Sequence, residues 1–177
     1  VRPGRADRED QAAPLLLISL DRHLERWVVL HRVGWLNTPV VDLTRIATDG
    51  LVFIVAGLVL AVLWRRPWFF VALVTATLAA DWLSYALRQL IGRDRPPLVY
   101  AEPRPLVSLP HTGAFPSGHS ASAFAAATVI AWSSRRLAVP AYVLAVLVAW
   151  SRVYVGVHWP LDVIGGAALG VLVGTLV

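Results

Sequence analysis

With 177 residues, 57% hydrophobic and only 15% charged, and a mean hydropathy of +0.63, the chain is too apolar for a soluble domain of its size. Its polar residues cannot cover the core that so much apolar surface implies, so lipid must serve as part of its solvent. The net charge of +5 suits anionic headgroups or phosphates but, on so apolar a chain, excludes nucleic acid as a partner, and the lack of cysteine excludes disulfides and thiolate metal sites.

Residues 1–13 read as a polar N-terminal tail, and the start at Val1 has no charged-then-apolar leader pattern. From Pro14 to about Val33 the chain is apolar but carries Asp21, Arg22, Glu25 and Arg26. Four central charges are costly in a spanning helix, so this stretch is expected as an amphipathic helix lying at the interface. A second short helix is expected over Pro39–Thr48. Leu51–Trp64 is apolar and reaches spanning length only if it starts near Ala47. Pro67 to about Leu90 is longer, with a polar second half holding Asp81, Ser84, Tyr85 and Arg88. Ser120–Ser133 is rich in alanine, Leu137–Trp150 follows a turn, and Pro160–Val177 is rich in the glycine and alanine that let helices pack closely in lipid. Each approaches the roughly 20 residues that cross hydrocarbon. The expected fold is an all-α polytopic membrane helix bundle of about six helices, about five spanning plus the N-terminal amphipathic one, forming a single domain over 14–177. The eight tryptophans mostly flank the segments, as an interfacial belt would.

The two tight turns carry Arg65–Arg66 and Arg135–Arg136, and by parity they share one side. Arginine-rich short loops stay cytoplasmic, so the long 92–118 connection and the 151–159 turn are expected to face outward.

Three clusters collect on that outer side. Arg88 is followed after six residues by Arg95–Pro96; Pro116–Ser117–Gly118–His119 opens the third span; Ser151–Arg152 is followed after five residues by His158 and after three more by Asp162. In order and spacing they resemble the three signature motifs of the type 2 phosphatidic acid phosphatase (PAP2) and haloperoxidase superfamily, over about residues 81–166. The resemblance implies a metal-independent membrane lipid phosphatase, with no cofactor, acting on a lipid phosphate or diphosphate of the cell envelope from the outer face of the plasma membrane. One position departs: the family usually has lysine where this chain has Arg88, a planar fork in place of a point charge.

The residue chemistry agrees with that role. Phosphoryl transfer spreads negative charge over oxygens, which Arg88, Arg95 and Arg152 can neutralise. Ser117 stands at an N-cap and Gly118 permits close backbone approach, so the third span begins with N–H groups suited to an anion. His158 and Asp162 form a nucleophile–orienter pair, and His119 can protonate the leaving oxygen. His23, His31 and His111 fit no such arrangement, Asp94 is a modulator of its neighbours, and Asp81 is a structural partner for an interior arginine, hydroxyl or tryptophan. The substrate stays open among polyprenyl phosphates and diphosphates, phosphatidate, phosphatidylglycerophosphate and polyprenyl phosphosugars. The competing functions are a haloperoxidase-like enzyme and an inactive lipid-binding protein.

Overall fold

The computed structural model describes residues 5–177, with side chains from Leu16 onward. Its elements are α1 (Arg5–Leu30), α2 (Gly34–Ile46), α3 (Leu51–Trp64), α4 (Pro67–Ile91), the short α5 (Pro96–Val99), α6 (Gly118–Ser133), α7 (Arg135–Tyr154) and α8 (Pro160–Leu176). The all-α membrane bundle expected from the sequence is the fold, and the chain is a membrane protein.

Helix α6 is the axis of the bundle. Eleven of its sixteen residues are buried, and α4, α7 and α8 all pack against it. Its alanines and serines are small enough to be approached from three sides. Against α8 the approach is backbone to backbone: a Cβ on Gly174 would lie 2.7 Å from the Ala125 carbonyl oxygen, and Cβ atoms on Gly166 and Gly170 would meet the carbonyls of Ser117 and Ala121. These glycines, spaced by four, form the small-residue seam that close packing in lipid requires.

Helix α4, run together with α5, and helix α7 are long and apolar enough to cross a membrane alone. Helices α2 and α3 reach that length only as a pair bent by 57° around a 3-10 turn at Thr48–Gly50. A 16-residue α6 rises about 24 Å, short of a full hydrocarbon core. Its N-terminus is buried, with Ser117 and Ser120 at 0% exposure. The ends of α3 and α6 meet at one end of the bundle, where Trp64, Arg66, Ser133 and Ser134 line a shared cavity. The two arginine pairs therefore lie together, opposite His119 and His158.

Helix α1 is inside out by the standards of a water-soluble protein. Asp21, Glu25 and Val29, spaced by four, are buried, whereas Leu17, Leu20, Leu24 and Trp27 on the other face are exposed. Such a helix suits lipid on its outer side. It runs along the site end of the bundle: Asp21 meets Leu161, Arg26 donates to the Glu102 carbonyl, and Arg32 donates to the carbonyls of Tyr154 and Arg104.

Several boundaries differ from expectation. Residues 5–13, expected as tail, continue α1 backwards because Ala, Arg, Glu and Gln are strong helix formers; residues 1–4 lie outside the described residues. Helix α2 begins at Gly34 rather than Pro39, where the Tyr154 hydroxyl bonds Val33 and Asn37. Helix α7 runs on to Tyr154, so Arg152 belongs to its last turn and the connecting turn shrinks to 155–159. Gly156, at φ +78°, makes that reversal. Trp159 is an exception to the expected belt: it is 2% exposed and donates to the Asp94 carbonyl at 2.8 Å.

Candidate active site

The eight residues singled out from the sequence converge at one end of the bundle. His158, in the turn before α8, is 3% exposed, and its Nε2 lies 3.0 Å from an Arg95 guanidinium nitrogen. A guanidinium only donates, so this contact requires the lone pair to be on Nε2 and the proton on Nδ1. Nδ1 faces Asp162 Oδ2 at 3.5 Å, a charge contact longer than a hydrogen bond that leaves Nδ1 without a formal acceptor. Burial, and then the nearby Arg95, Arg152 and Arg88, push the His158 ring well below the usual histidine range. A buried ring among cations is neutral near pH 7, with its lone pair on the nitrogen that faces the arginines.

The i, i+4 spacing does not work as one face of a helix, because His158 precedes α8. Trp159 is the N-cap, Pro160 opens the helix, and Asp162 at the third helical position accepts from the Trp159 backbone N–H at 2.8 Å. A carboxylate reaching back to its own cap is thereby carried to the residue beyond it.

Ser117 is the N-cap expected from the sequence, and it also ties α6 to α8. Its hydroxyl caps α6 by accepting from Ser120, and its N–H donates to the Asp162 carbonyl at 2.9 Å. That leaves the N–H groups of Gly118 and His119, the first of α6, without backbone acceptors. Gly118 is needed for room: a Cβ there would lie 2.6 Å from both Arg88 and Asp81. Arg88 itself donates to the Ser84 hydroxyl at 3.1 Å and the Pro116 carbonyl at 3.3 Å. Both bonds come from one nitrogen, Nη1, and Nε has no partner, so at the family's lysine position the arginine uses a single corner of its fork on these acceptors. Asp81 shares its side of α4 near Gly118, and among the described residues its carboxylate forms no ion pair or hydrogen bond with Arg88.

A family model described as the PAP2 superfamily matches residues 69–177, well over half of the chain. The chain belongs to the PAP2 superfamily. Among PAP2 proteins it is 32% identical over 178 residues to phosphatidylglycerophosphatase B of Bacillus subtilis, covering 90% of this chain and 82% of that one. It is 30% identical over 159 residues to an undecaprenyl-diphosphatase of Sulfolobus acidocaldarius, covering 86% and 74%. The crystal structure of a transmembrane PAP2-type phosphatidylglycerolphosphate phosphatase from Bacillus subtilis superposes with a TM-score of 0.72 at 30% identity, over 91% of this chain and 84% of that one. That of Aquifex aeolicus LpxE shares the fold, with a TM-score of 0.73 at 24% identity, over 87% and 92%. This PAP2 chain is a membrane lipid phosphatase.

Three residues that the sequence did not single out for the site, Thr44, Arg93 and Asp21, make direct contact with the candidate site residues. Thr44 of α2, 2% exposed, takes a hydrogen bond from Arg152 on its hydroxyl at 2.5 Å and from His119 Nε2 on its carbonyl at 3.2 Å. A carbonyl only accepts, so His119 carries a proton on Nε2. Arg93 and Asp21 form the second addition, with Arg93 2.5 Å from Asp162 Oδ1. Arg93 lies inside the first motif, but nothing local marks it, and Thr44 and Asp21 precede the residues that the family model matches.

Proposed function

We propose that this lipid phosphatase removes phosphate from a polyprenyl phosphate or diphosphate at the outer face of the plasma membrane, through a phosphohistidine formed on His158. The observation that carries the reading is the orientation of that ring, with a neutral lone pair at Nε2 among arginines and Nδ1–H toward Asp162. Nε2 attacks phosphorus as the bond to the leaving oxygen breaks, and His119, protonated on Nδ1 as well once the anionic phosphate is bound beside it, gives that oxygen its Nδ1 proton. Water then attacks the phosphohistidine, passing its proton to His119, and phosphate leaves with the lone pair restored to His158. Arg88, Arg95 and Arg152, with the N–H groups of Gly118 and His119, neutralise the charge that builds on the oxygens. Arg95 must swing from Nε2 toward the phosphate as substrate enters.

The undecaprenyl-diphosphatase relative and the outward direction inferred from Arg65–Arg66 and Arg135–Arg136 favour an envelope carrier lipid. The extent of the match to phosphatidylglycerophosphatase B supports phosphatidylglycerophosphate as the second reading. In both, residues 14–177 act as one catalytic domain.

The test uses intact cells expressing the protein and a membrane-impermeant, short-chain polyprenyl diphosphate. Phosphate release from intact cells by wild type, with none from His158→Ala, is the expected result. Release only after the cells are permeabilised would turn the site inward and remove the carrier-recycling role. Turnover by His158→Ala would overturn the nucleophile. In detergent, faster turnover of phosphatidylglycerophosphate than of the polyprenyl substrate would select the second reading.

A further inference from the structure

Asp162 and Asp21 are two carboxylates that share one cation, Arg93. Arg93 places one guanidinium nitrogen 2.5 Å from Asp162 Oδ1 and the other 2.5 Å from Asp21 Oδ2, and its charged end sits 5.7 Å from the Trp159 ring centroid. Both carboxylates are buried, at 2% and 0% exposure. The other oxygen of Asp21 accepts from the Leu161 backbone N–H at 2.7 Å, so α1 is tied to the first turn of α8 beside the pair it serves. Asp162 thus receives Arg93 on one oxygen and the Trp159 N–H on the other, the oxygen that also faces His158.

We propose that Arg93, clamped between Asp21 of α1 and Asp162 of α8, is a positioning residue that sets how much of the Asp162 charge His158 feels. The inference rests on His158 being the nucleophile. Three donors compete for one carboxylate, and the strongest is a charged guanidinium at hydrogen-bond distance, whereas the ring nitrogen stands off at 3.5 Å. Arg93 fixes the rotation of the carboxylate and withholds part of its charge from the ring. Asp21 in turn takes part of the Arg93 charge, so α1 acts on the nucleophile without touching substrate.

The groups facing the His158 ring are Arg95 from the loop after α4, Arg88 from α4, Arg152 from α7, His119 from α6 and Asp162 from α8, with the Ala114 carbonyl opposing the cations. Variants at Arg93 and Asp21 leave all of these in place. Without Arg93, the Asp162 charge turns fully on the ring, the imidazolium is favoured, and a higher pH is needed to free the lone pair. Without the Asp21 charge, Arg93 is held more strongly by Asp162, and the effect is the reverse. The two substitutions therefore move the pH dependence in opposite directions, whereas simple loosening of the fold would move it in neither.

The experiment measures kcat and KM for an aryl phosphate from about pH 4 to 8 in wild type, Arg93→Ala, Arg93→Lys and Asp21→Asn. The substrate's own ionisation is common to all and drops out of the comparison. Arg93→Ala should lower kcat about ten-fold or more with little change in KM, and should move the acidic limb of kcat/KM upward by about one pH unit, the scale of one adjacent charge. Arg93→Lys, reaching one carboxylate at a time, should recover part of both. Asp21→Asn keeps the acceptor for Leu161 and should move the limb down, with a smaller loss of kcat. A limb that stays fixed in Arg93→Lys and Asp21→Asn overturns the clamp, as does a ten-fold rise in KM at unchanged kcat, which would make Arg93 a substrate ligand. If Arg93→Ala does not fold, the lysine and asparagine variants decide alone. His158→Ala in the same assay separates the two claims: activity there removes the nucleophile, while a fixed limb with His158→Ala dead removes only the clamp.

Discussion

The C-terminal part of the molecule, α4 to α8, and the N-terminal part, α1 to α3, reach the same site by different means. In the C-terminal part the candidate catalytic groups sit on, or immediately before, helices that meet backbone to backbone. Gly166, Gly170 and Gly174 lie against α6 carbonyls, and Ser117 ties the start of α6 to the Asp162 carbonyl. No side-chain rotation can open those contacts, so His119, His158 and Asp162 hold their places as one unit. The N-terminal part joins the apolar core through Ala47, Phe53 and Ala61, but it meets the site itself through a few polar side chains: Thr44 on His119 and Arg152, Asp21 on Arg93 and Leu161. The family model matches residues 69–177, the part built on the glycine seam. A seam of backbone contacts fixes where the chemistry is, and side-chain contacts from a second region can adjust how it runs.

If that division holds, substitutions in the C-terminal part should cost the most. His119→Ala should lower kcat on a lipid phosphate by on the order of 10² to 10⁴, the range of a lost general acid. The loss should be much smaller on an aryl phosphate, whose leaving group needs little protonation. Equal losses on the two substrates would remove His119 from the proton-transfer step.

Thr44→Val comes next in size. It keeps the carbonyl that His119 uses and removes the hydroxyl that Arg152 uses. Because a hydrogen bond to a charged group is worth about 1.5–3 kcal/mol, kcat/KM should fall about ten-fold or somewhat more, with Thr44→Ser close to wild type. A loss as great as that of His119→Ala would end the distinction between a fixing region and an adjusting one.

The smallest effect concerns α1 alone. Burial raises Glu25 from 4.5 to about 7, against the opposing pull of Arg26 and Arg32. A carboxyl whose folded value lies above its unfolded value penalises folding as pH rises: the cost is absent below about 4.5 and complete above about 7. Glu25→Gln should therefore raise the melting temperature by about 2–4 °C near pH 8 and leave it unchanged near pH 4. An equal gain at both pH values would mean that packing, not ionisation, limits the docking of α1.

Much of this was open to reading from the sequence. Apolar content and segment spacing were enough for an all-α membrane bundle, and α3 was placed at Leu51–Trp64 because its start and its Arg65 stop are both local signals. The N-cap at Ser117 and Pro160 at the start of α8 were legible, and the eight candidate residues could be singled out, for the same reason: caps, proline and short motifs act within about four residues of themselves. Where a boundary moved, a distant contact moved it, as when the Tyr154 hydroxyl joined Val33 and Asn37 at the start of α2.

The tautomer of His158, the double duty of Thr44 and the Arg93 clamp were decided by the tertiary structure. Asp21 and Arg93 are 72 residues apart, Arg93 and Asp162 are 69, and Thr44 and Arg152 are 108. No periodicity or motif relates residues so far apart in the chain. Their meeting depends on how α1 and α2 settle over a bundle whose spacing is set by the glycines of α8. A sequence shows where a carboxylate and a cation occur, but the distance between them, which decides their chemistry, is a property of the packed helices.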